Sequence, residues 1–363
     1  MGKRYSKYLP LFVGGLFLTI LIASCKKENK TTMPLATLGL YEVNNGVNKR
    51  VFIPITKIGT QTVSYYSVFD TGSAGMTMDA TGLLPASMIT SSGITVPNGD
   101  SVTVNGITVT SQEAAIAYGD DQSGIEEYGN LAYTTVTIGD QNGSVTTSRI
   151  PIFLYYKIVD VTTGKNQAAH SNDVFGVGPG SSYANNAIGS PLSYFKLGAS
   201  LTNGYKLAEF NNSEFSFNGT YVPGLLSIGL LPNDLQSSSG FVMHQLSYFP
   251  QGGYSPDIPS TISYNGLSVS ATVLFDTGTP AISTIANSAA PNNISALPDN
   301  TVVTLTTNSG FTYSYTTRNA SDSTQVAQPS FTGDPRTIFS IYFFTENEFL
   351  MDYQDHQIGL KNN

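Results

Sequence analysis

The chain has 363 residues, of which 40% are apolar and only 12% charged, with 35 glycines, 21 tyrosines and 19 phenylalanines. That composition excludes a disordered chain and a small cross-linked scaffold, and the length implies one large two-lobed domain or two domains. A formal net charge of −8 excludes the basic footprint that grips a phosphate backbone, so nucleic acid is not an expected partner.

At the start of the chain, Lys3, Arg4 and Lys7 precede an apolar run from Leu9 to Ala23 that is short for a bilayer span, the pattern of a signal peptide over residues 1–24. The run ends Leu21-Ile22-Ala23-Ser24-Cys25, which resembles the bacterial lipobox, and Cys25 is the only cysteine. The resemblance implies cleavage before Cys25, acylation of its thiol and an exported lipoprotein held on a lipid bilayer. A plain signal peptide followed by an incidental cysteine is the bland alternative. Lys26 and Lys27 stand where an Asp would favour retention at the inner membrane, so the outer membrane is the expected location. Residues 25–49 are expected to be anchor and tether, beginning with the polar stretch KKENKTTMP. Removal of residues 1–24 leaves 14 basic groups against 25 acidic ones, a net charge of −11. With its thiol acylated, the body can form neither a disulfide nor a thiolate metal site.

From Arg50 onward the pattern is that of strands. Short alternating or apolar stretches at 51–55, 63–69, 93–96, 102–110, 115–118, 133–138 and 150–156 are separated by Gly, Asn, Asp and Ser. The second half repeats the pattern at 225–231, 261–275, 301–307, 311–317 and 348–353. Asn105-Gly106 and Asn265-Gly266 mark hairpins. Helical patterns are confined to Leu192–Leu197 and Ala286–Ala290. The fold class expected is all-β.

Self-comparison finds Ser67-Val68-Phe69-Asp70-Thr71-Gly72-Ser73-Ala74 nearly copied at Val273-Leu274-Phe275-Asp276-Thr277-Gly278-Thr279-Pro280. Each copy ends an alternating strand, with Val63, Tyr65, Ser67 and Phe69 on one face of the first and Val269, Ala271, Val273 and Phe275 on one face of the second. A single Asp-Thr-Gly arises by chance in roughly a tenth of chains this long, given ordinary usage of the three residues. Two with matching apolar flanks point to internal duplication. Two carboxylates set side by side cannot both ionise, so the pair holds one proton and can serve as base and acid together. Such a pair deprotonates a water for attack on a carbonyl while protonating that carbonyl's oxygen, without metal or cofactor. Gly72 and Gly278 permit tight turns whose N–H groups approach the carboxylates, Thr71 and Thr277 can brace across the pair, and Ser73 and Thr279 can orient the outer oxygens.

These motifs resemble the pepsin-like aspartic proteases, whose shared-proton dyad is a standard example of the effect. Tyr118-Gly119, followed by Gly124, Gly129 and Thr135–Gly139, is similar to that family's flap hairpin and exit strand. Asp173–Gly178 resembles the segment beneath the first catalytic loop, Pro223–Gly229 the strand entering the second lobe, and Ile338–Leu360 the C-terminal strands. The resemblance covers about residues 50–361. It implies two pseudo-symmetric β lobes with few short helices, divided at 50–222 and 223–363, and a monomeric endopeptidase acting on peptides or proteins at acid pH. The catalytic pair would be Asp70 and Asp276, and Tyr118 and Gly119 would lie on the flap. A non-catalytic lipoprotein that binds peptide or glycan on the same fold is the alternative.

Two departures stand out. The chain has no Trp, and Met76-Thr77 occupy the place of the family's Trp, so the hydrogen bond such a Trp gives the flap tyrosine is expected to be missing. In the second lobe Ile338-Phe339-Ser340 has a serine where close backbone approach calls for glycine. His170, His244 and His356 lack the spacing of a metal pair or a triad and are expected to be solvated loop residues.

Overall fold

A computed structural model describes residues 33–46, 48–97, 99–119, 124–250, 252–318 and 323–363. The signal-peptide pattern and Cys25 lie outside the described residues. Within them the fold is all-β, with one four-residue helix at Pro329–Thr332 and short 3-10 turns.

Two large sheets build the body. The longer carries the first Asp-Thr-Gly, and its central path runs Ala36–Asn45, Asn48–Ile58, Gln61–Asp70, Val174–Val177, Ala74–Asp79, Ile150–Asp160, Gly124–Thr134 and Ile107–Gly119. The eight-stranded second sheet carries the other motif on Leu267–Phe275, flanked by Ile258–Tyr264 and Thr337–Phe339.

Alternation explains the core. In Asn48–Ile58, Val51, Ile53 and Ile55 are fully buried, as period-two pleating requires. Ile150–Asp160 instead buries six consecutive residues, Ile150 to Tyr155, because both faces of this interior strand are covered. In the second lobe Phe275 packs on Phe343 at 4.3 Å between ring centroids and on Phe339 at 5.7 Å. Both predicted Asn-Gly hairpins form, with φ of 53° and 76° at Asn105-Gly106 and 48° and 75° at Asn265-Gly266, the two positive values that a type I′ turn needs.

Four expectations need correction. The tether does not reach residue 49: Ala36–Asn45 is a strand paired antiparallel with Thr220–Leu230 on one side and Asn48–Ile58 on the other. The boundary at 222/223 falls inside strand Thr220–Leu230, and the C-terminal strands Asn347–Asp352 and Gln357–Asn362 join the longer sheet, where Asn347–Asp352 pairs with Thr202–Leu207. Leu192–Leu197 reduces to a 3-10 turn over Pro191–Tyr194, started by Ser190, whose Oγ accepts from the Leu192 N–H at 3.3 Å. Ala286–Ala290 is the end of strand Ser283–Ala286 followed by a turn, because Ser283 to Ala286 pair in parallel with Thr324 to Ala327.

Candidate active site

Strand Gln61–Asp70 delivers Asp70 to the end of the first sheet, and Leu267–Phe275 delivers Asp276 just beyond the end of the second. Beneath each runs a parallel neighbour: Val68, Phe69 and Asp70 pair with Val174, Phe175 and Gly176, whereas Val273, Leu274 and Phe275 pair with Thr337, Ile338 and Phe339. The two halves are thus built alike, as the duplicated motif implied.

The loops lock together through their threonines. Thr71 N–H donates to Thr277 Oγ1 at 3.1 Å and Thr277 N–H donates to Thr71 Oγ1 at 3.0 Å. Each hydroxyl in turn donates to a carbonyl of the opposite strand, Thr71 to Phe275 O at 2.8 Å and Thr277 to Phe69 O at 2.6 Å. All four groups are buried, so the bonds are sheltered from competing water.

This bracing brings the carboxyls together. The side chains of Asp70 and Asp276 converge on one point, since a Cβ built on Gly278 would lie 2.8 Å from Asp70 Oδ1 and 2.9 Å from Asp276 Oδ1. A Cβ on Gly72 would stand 2.6 Å from Asp276 Cγ, and one on Gly278 would stand 2.8 Å from Asp70 Cγ, so only glycine fits at either place. Asp70 Oδ1 accepts from Gly72 N–H at 2.7 Å and Ser73 N–H at 3.1 Å, and its Oδ2 accepts from Ser73 Oγ at 2.7 Å. Asp276 has two of the three counterparts, Gly278 N–H at 2.7 Å and Thr279 Oγ1 at 2.6 Å, while the Thr279 N–H donates to the Asp276 backbone carbonyl at 3.3 Å. Burial pushes the Asp70 carboxyl above the usual carboxylate range and the Asp276 charge adds to the rise, while the bonds from Ser73 and Gly72 oppose it. The arrangement can hold one proton between two acids, beside a half-buried Asp276 that leaves an approach for water and substrate.

The flap-like hairpin is present, Ile107–Gly119 pairing with Gly124–Thr134 so that Tyr118 faces Ile125 and Gly119 faces Gly124. Residues 120–123 lie outside the described residues. Gly119 is exposed with φ of 108°, which a side chain would strain. Tyr118 is half-buried against Ile116, Leu131, Phe153 and Tyr155. Burial raises its phenol well above the ordinary tyrosine value, and the charges of Glu127 and Asp70 add to that. Thr77, in the place of the family's Trp, buries its hydroxyl beside the phenol without a hydrogen bond of good geometry.

Ser340 is accommodated. Its counterpart Gly176 has no room for a Cβ, which would stand 2.7 Å from Gly75 O and from Ser73 Oγ. There Val174–Val177 pairs with Ala74–Asp79 over four residues, whereas in the second lobe Thr337–Phe339 meets Ser283–Ala286 at the single pair Thr284 and Ile338. The looser join leaves space for the side chain, and Ser340 N–H donates to Ser283 Oγ at 3.1 Å. Asp276 N–H still reaches Phe339 O at 2.9 Å, so the second loop keeps its support.

Several titratable groups are buried or paired in ways the sequence did not show. Glu127 is fully buried, its Oε1 accepting from Asn172 Nδ2 at 3.2 Å and its Oε2 unpartnered, and burial pushes it up to about 8. His170 is not a solvated residue: its Nδ1 meets Asp173 Oδ2 at 2.7 Å and its Nε2 donates to Thr81 O at 2.9 Å. His244 is buried, donating from Nδ1 to Ile358 O at 3.1 Å, and His356 stacks on Tyr254. A lone acid or histidine among apolar alternation was the only signal for these residues. Among the described residues no cluster of three or more His, Cys, Asp or Glu could hold a metal ion. A cavity of about 900 Å³ lies on the second lobe between Leu267–Thr272 and Ala286–Pro291 and contains none of the groups above.

No family model and no curated protein matches the chain. Among solved structures it is similar to the aspartic proteinase from Irpex lacteus, at 18% sequence identity and a TM-score of 0.56, over 90% of this chain and 98% of that one. At that identity the likeness establishes the fold: this chain has the bilobal all-β fold of a pepsin-like aspartic proteinase.

Proposed function

We propose that this chain is an aspartic endopeptidase in which Asp70 and Asp276 share one proton and activate a water against a peptide carbonyl. The observation that carries the reading is the convergence of the two carboxyls beside the Thr71–Thr277 brace, each with its own set of loop donors. The ionised member takes a proton from water as the water attacks, and the protonated member gives its proton to the carbonyl oxygen, so the pair still holds one proton. That proton then passes to the departing amine while the other carboxylate takes one from the gem-diol as the C–N bond breaks, which restores the starting state. Tyr118 would close over bound substrate and exclude water. The peptide- or glycan-binding alternative leaves the shared proton without a task.

Export and anchoring belong to the same proposal on sequence grounds: residues 1–24 as signal peptide, Cys25 as the acylated residue, and the outer membrane as the location. Incubating the protein with denatured protein substrate across acid pH, with and without a statine-type transition-state mimic, tests the activity. Cleavage that the mimic abolishes supports it, and absence of cleavage at every acid pH contradicts it.

A further inference from the structure

Three stretches of chain support the first Asp-Thr-Gly loop, and one ring touches all of them. Gln61–Asp70 leads into the loop, Ala74–Asp79 leads out of it, and Val174–Val177 runs beneath, with Asp173 just before it. The His170 ring stacks on Tyr65 of the first stretch, with 4.0 Å between centroids and 21° between planes. Its Nε2 meets Thr81 O at 2.9 Å, just past the second stretch, and its Nδ1 meets Asp173 Oδ2 at 2.7 Å, at the head of the third. Backbone donors complete the cluster: the His170 N–H donates to Asp79 Oδ2 at 3.2 Å and the Asp79 N–H to Asp173 Oδ1 at 2.9 Å. Asp173 O in turn accepts from the Val68 N–H at 2.8 Å, close before Asp70. The titratable groups that face the ring are therefore Tyr65, Asp79 and Asp173. Tyr155 lies behind Asp173, its hydroxyl donating to Oδ1 at 2.8 Å, and Glu127 bonds to Asn172 beside it.

The protonation state follows from these partners. A carbonyl oxygen can only accept, so Nε2 carries a proton, and a carboxylate at Nδ1 calls for a second. Neutral imidazole has one N–H, so this arrangement is that of the imidazolium. Loss of a proton leaves one ring nitrogen facing an acceptor with nothing between them, and the contact with the uncharged Thr81 carbonyl costs less to give up than the one with the carboxylate. The tie to the end of Ala74–Asp79 then opens first. The second lobe lacks this device, because Ala271 takes the place of Tyr65 in the duplicated strand and no histidine lies between His244 and His356.

We propose that His170 is an acid latch on the first lobe: protonated, it holds the supports of the Asp70 loop together, and it releases them as the ring loses its proton toward neutral pH. The latch goes beyond the peptidase reading and stands without it, since it concerns the support of one loop and not the shared proton. Burial alone would lower the histidine, but the bond and charge of Asp173 outweigh it and raise the ring above its ordinary value. Such a group stabilises fully below its unfolded value, and that stabilisation is lost as pH rises through the folded one.

The chain has three histidines, so proton NMR of the full chain identifies the His170 ring by comparison with His170→Asn, a substitution that suits the left-handed backbone at φ of 57°. Amide exchange at Asp79, Thr81 and His170 from about pH 5 to 8, corrected for the intrinsic rate, reads the latch itself. The expected result is a ring that titrates above the ordinary value of about 6.5. As it does so, protection at the three amides should fall roughly tenfold relative to the first-lobe core. In His170→Asn the protection should be low across the whole range, with no step. A ring that titrates at or below the ordinary value overturns the latch, and so does protection that stays unchanged as the ring loses its proton. If the variant does not fold, the titration and exchange of the wild type decide the matter by themselves.

Discussion

Thr71 and Thr277, 206 residues apart, hold each other by reciprocal bonds in which the backbone N–H of each donates to the hydroxyl of the other. Truncating either hydroxyl orphans a buried N–H and a buried carbonyl together. Thr71→Ala and Thr277→Ala should each cost about 2–4 kcal/mol of stability, measured by urea unfolding, and should lower activity beyond the loss of folded protein. Thr71→Ser, which keeps the bonds, should lose less than either.

Asp70→Asn and Asp276→Asn should each abolish cleavage while leaving the fold intact, because a lone carboxylate cannot act as acid and base together. Tyr118→Ala should reduce kcat/KM less severely, since the flap positions substrate and moves no proton. Circular dichroism and steady-state kinetics on the three variants check this. Equal losses in all three, or full activity in either Asn variant, would contradict the roles assigned.

The two halves should respond unequally to matched substitutions. Gly176→Ser drives a side chain into Gly75 O and Ser73 Oγ and should destabilise strongly and disturb the Asp70 loop. Ser340→Gly removes a side chain from a site with room for it and should cost only about 1 kcal/mol. Unfolding midpoints and activity of the pair would show the asymmetry.

Stability should fall as pH rises from mildly acid to alkaline. Burial raises Glu127 from 4.5 to about 8 and Glu42 from 4.5 to about 7, and Asp70 moves the same way. A carboxyl raised by folding stabilises fully below its unfolded value, and that stabilisation is lost as pH climbs through the folded value. The window therefore runs from about pH 4.5 to 8. His244, buried and lowered, acts in the opposite sense and loses stability as pH falls through the ordinary histidine range. Urea midpoints across this span should decline toward alkaline pH, and Glu127→Gln should flatten the decline.

The two Asp-Thr-Gly loops were legible because the motif is a local signal: turn, donors and brace all lie within four residues of each Asp. What surrounds them was not, because it depends on which distant strands meet. Alternation marked the strand that begins near Arg50 but could not show the Lys49 N–H reaching Pro280 O beside the second Asp-Thr-Gly loop. Glu127 reads as a solvent-facing charge in Gly124–Thr134, yet a register shift between Tyr155 and Lys157 in the neighbouring strand accompanies its burial. Ala36–Asn45 was missed because its apolar signal is short and is interrupted by Gly39, where a Cβ would lie 2.4 Å from the Tyr221 ring. Ser340 looked like a defect, since sequence shows the missing glycine and not the looser join that admits a side chain.

The central claim is that one proton on the Asp70–Asp276 pair is the working state, and kcat/KM on a single peptide from strongly acid to alkaline pH tests it most directly. Activity should rise as the first ionisation of the pair occurs, and fall as the second, raised by burial and mutual charge, is completed, so the profile is a bell in the acid to mildly acid range. A profile that keeps rising above neutrality would mean a different base does the work, and the shared-proton mechanism would be contradicted.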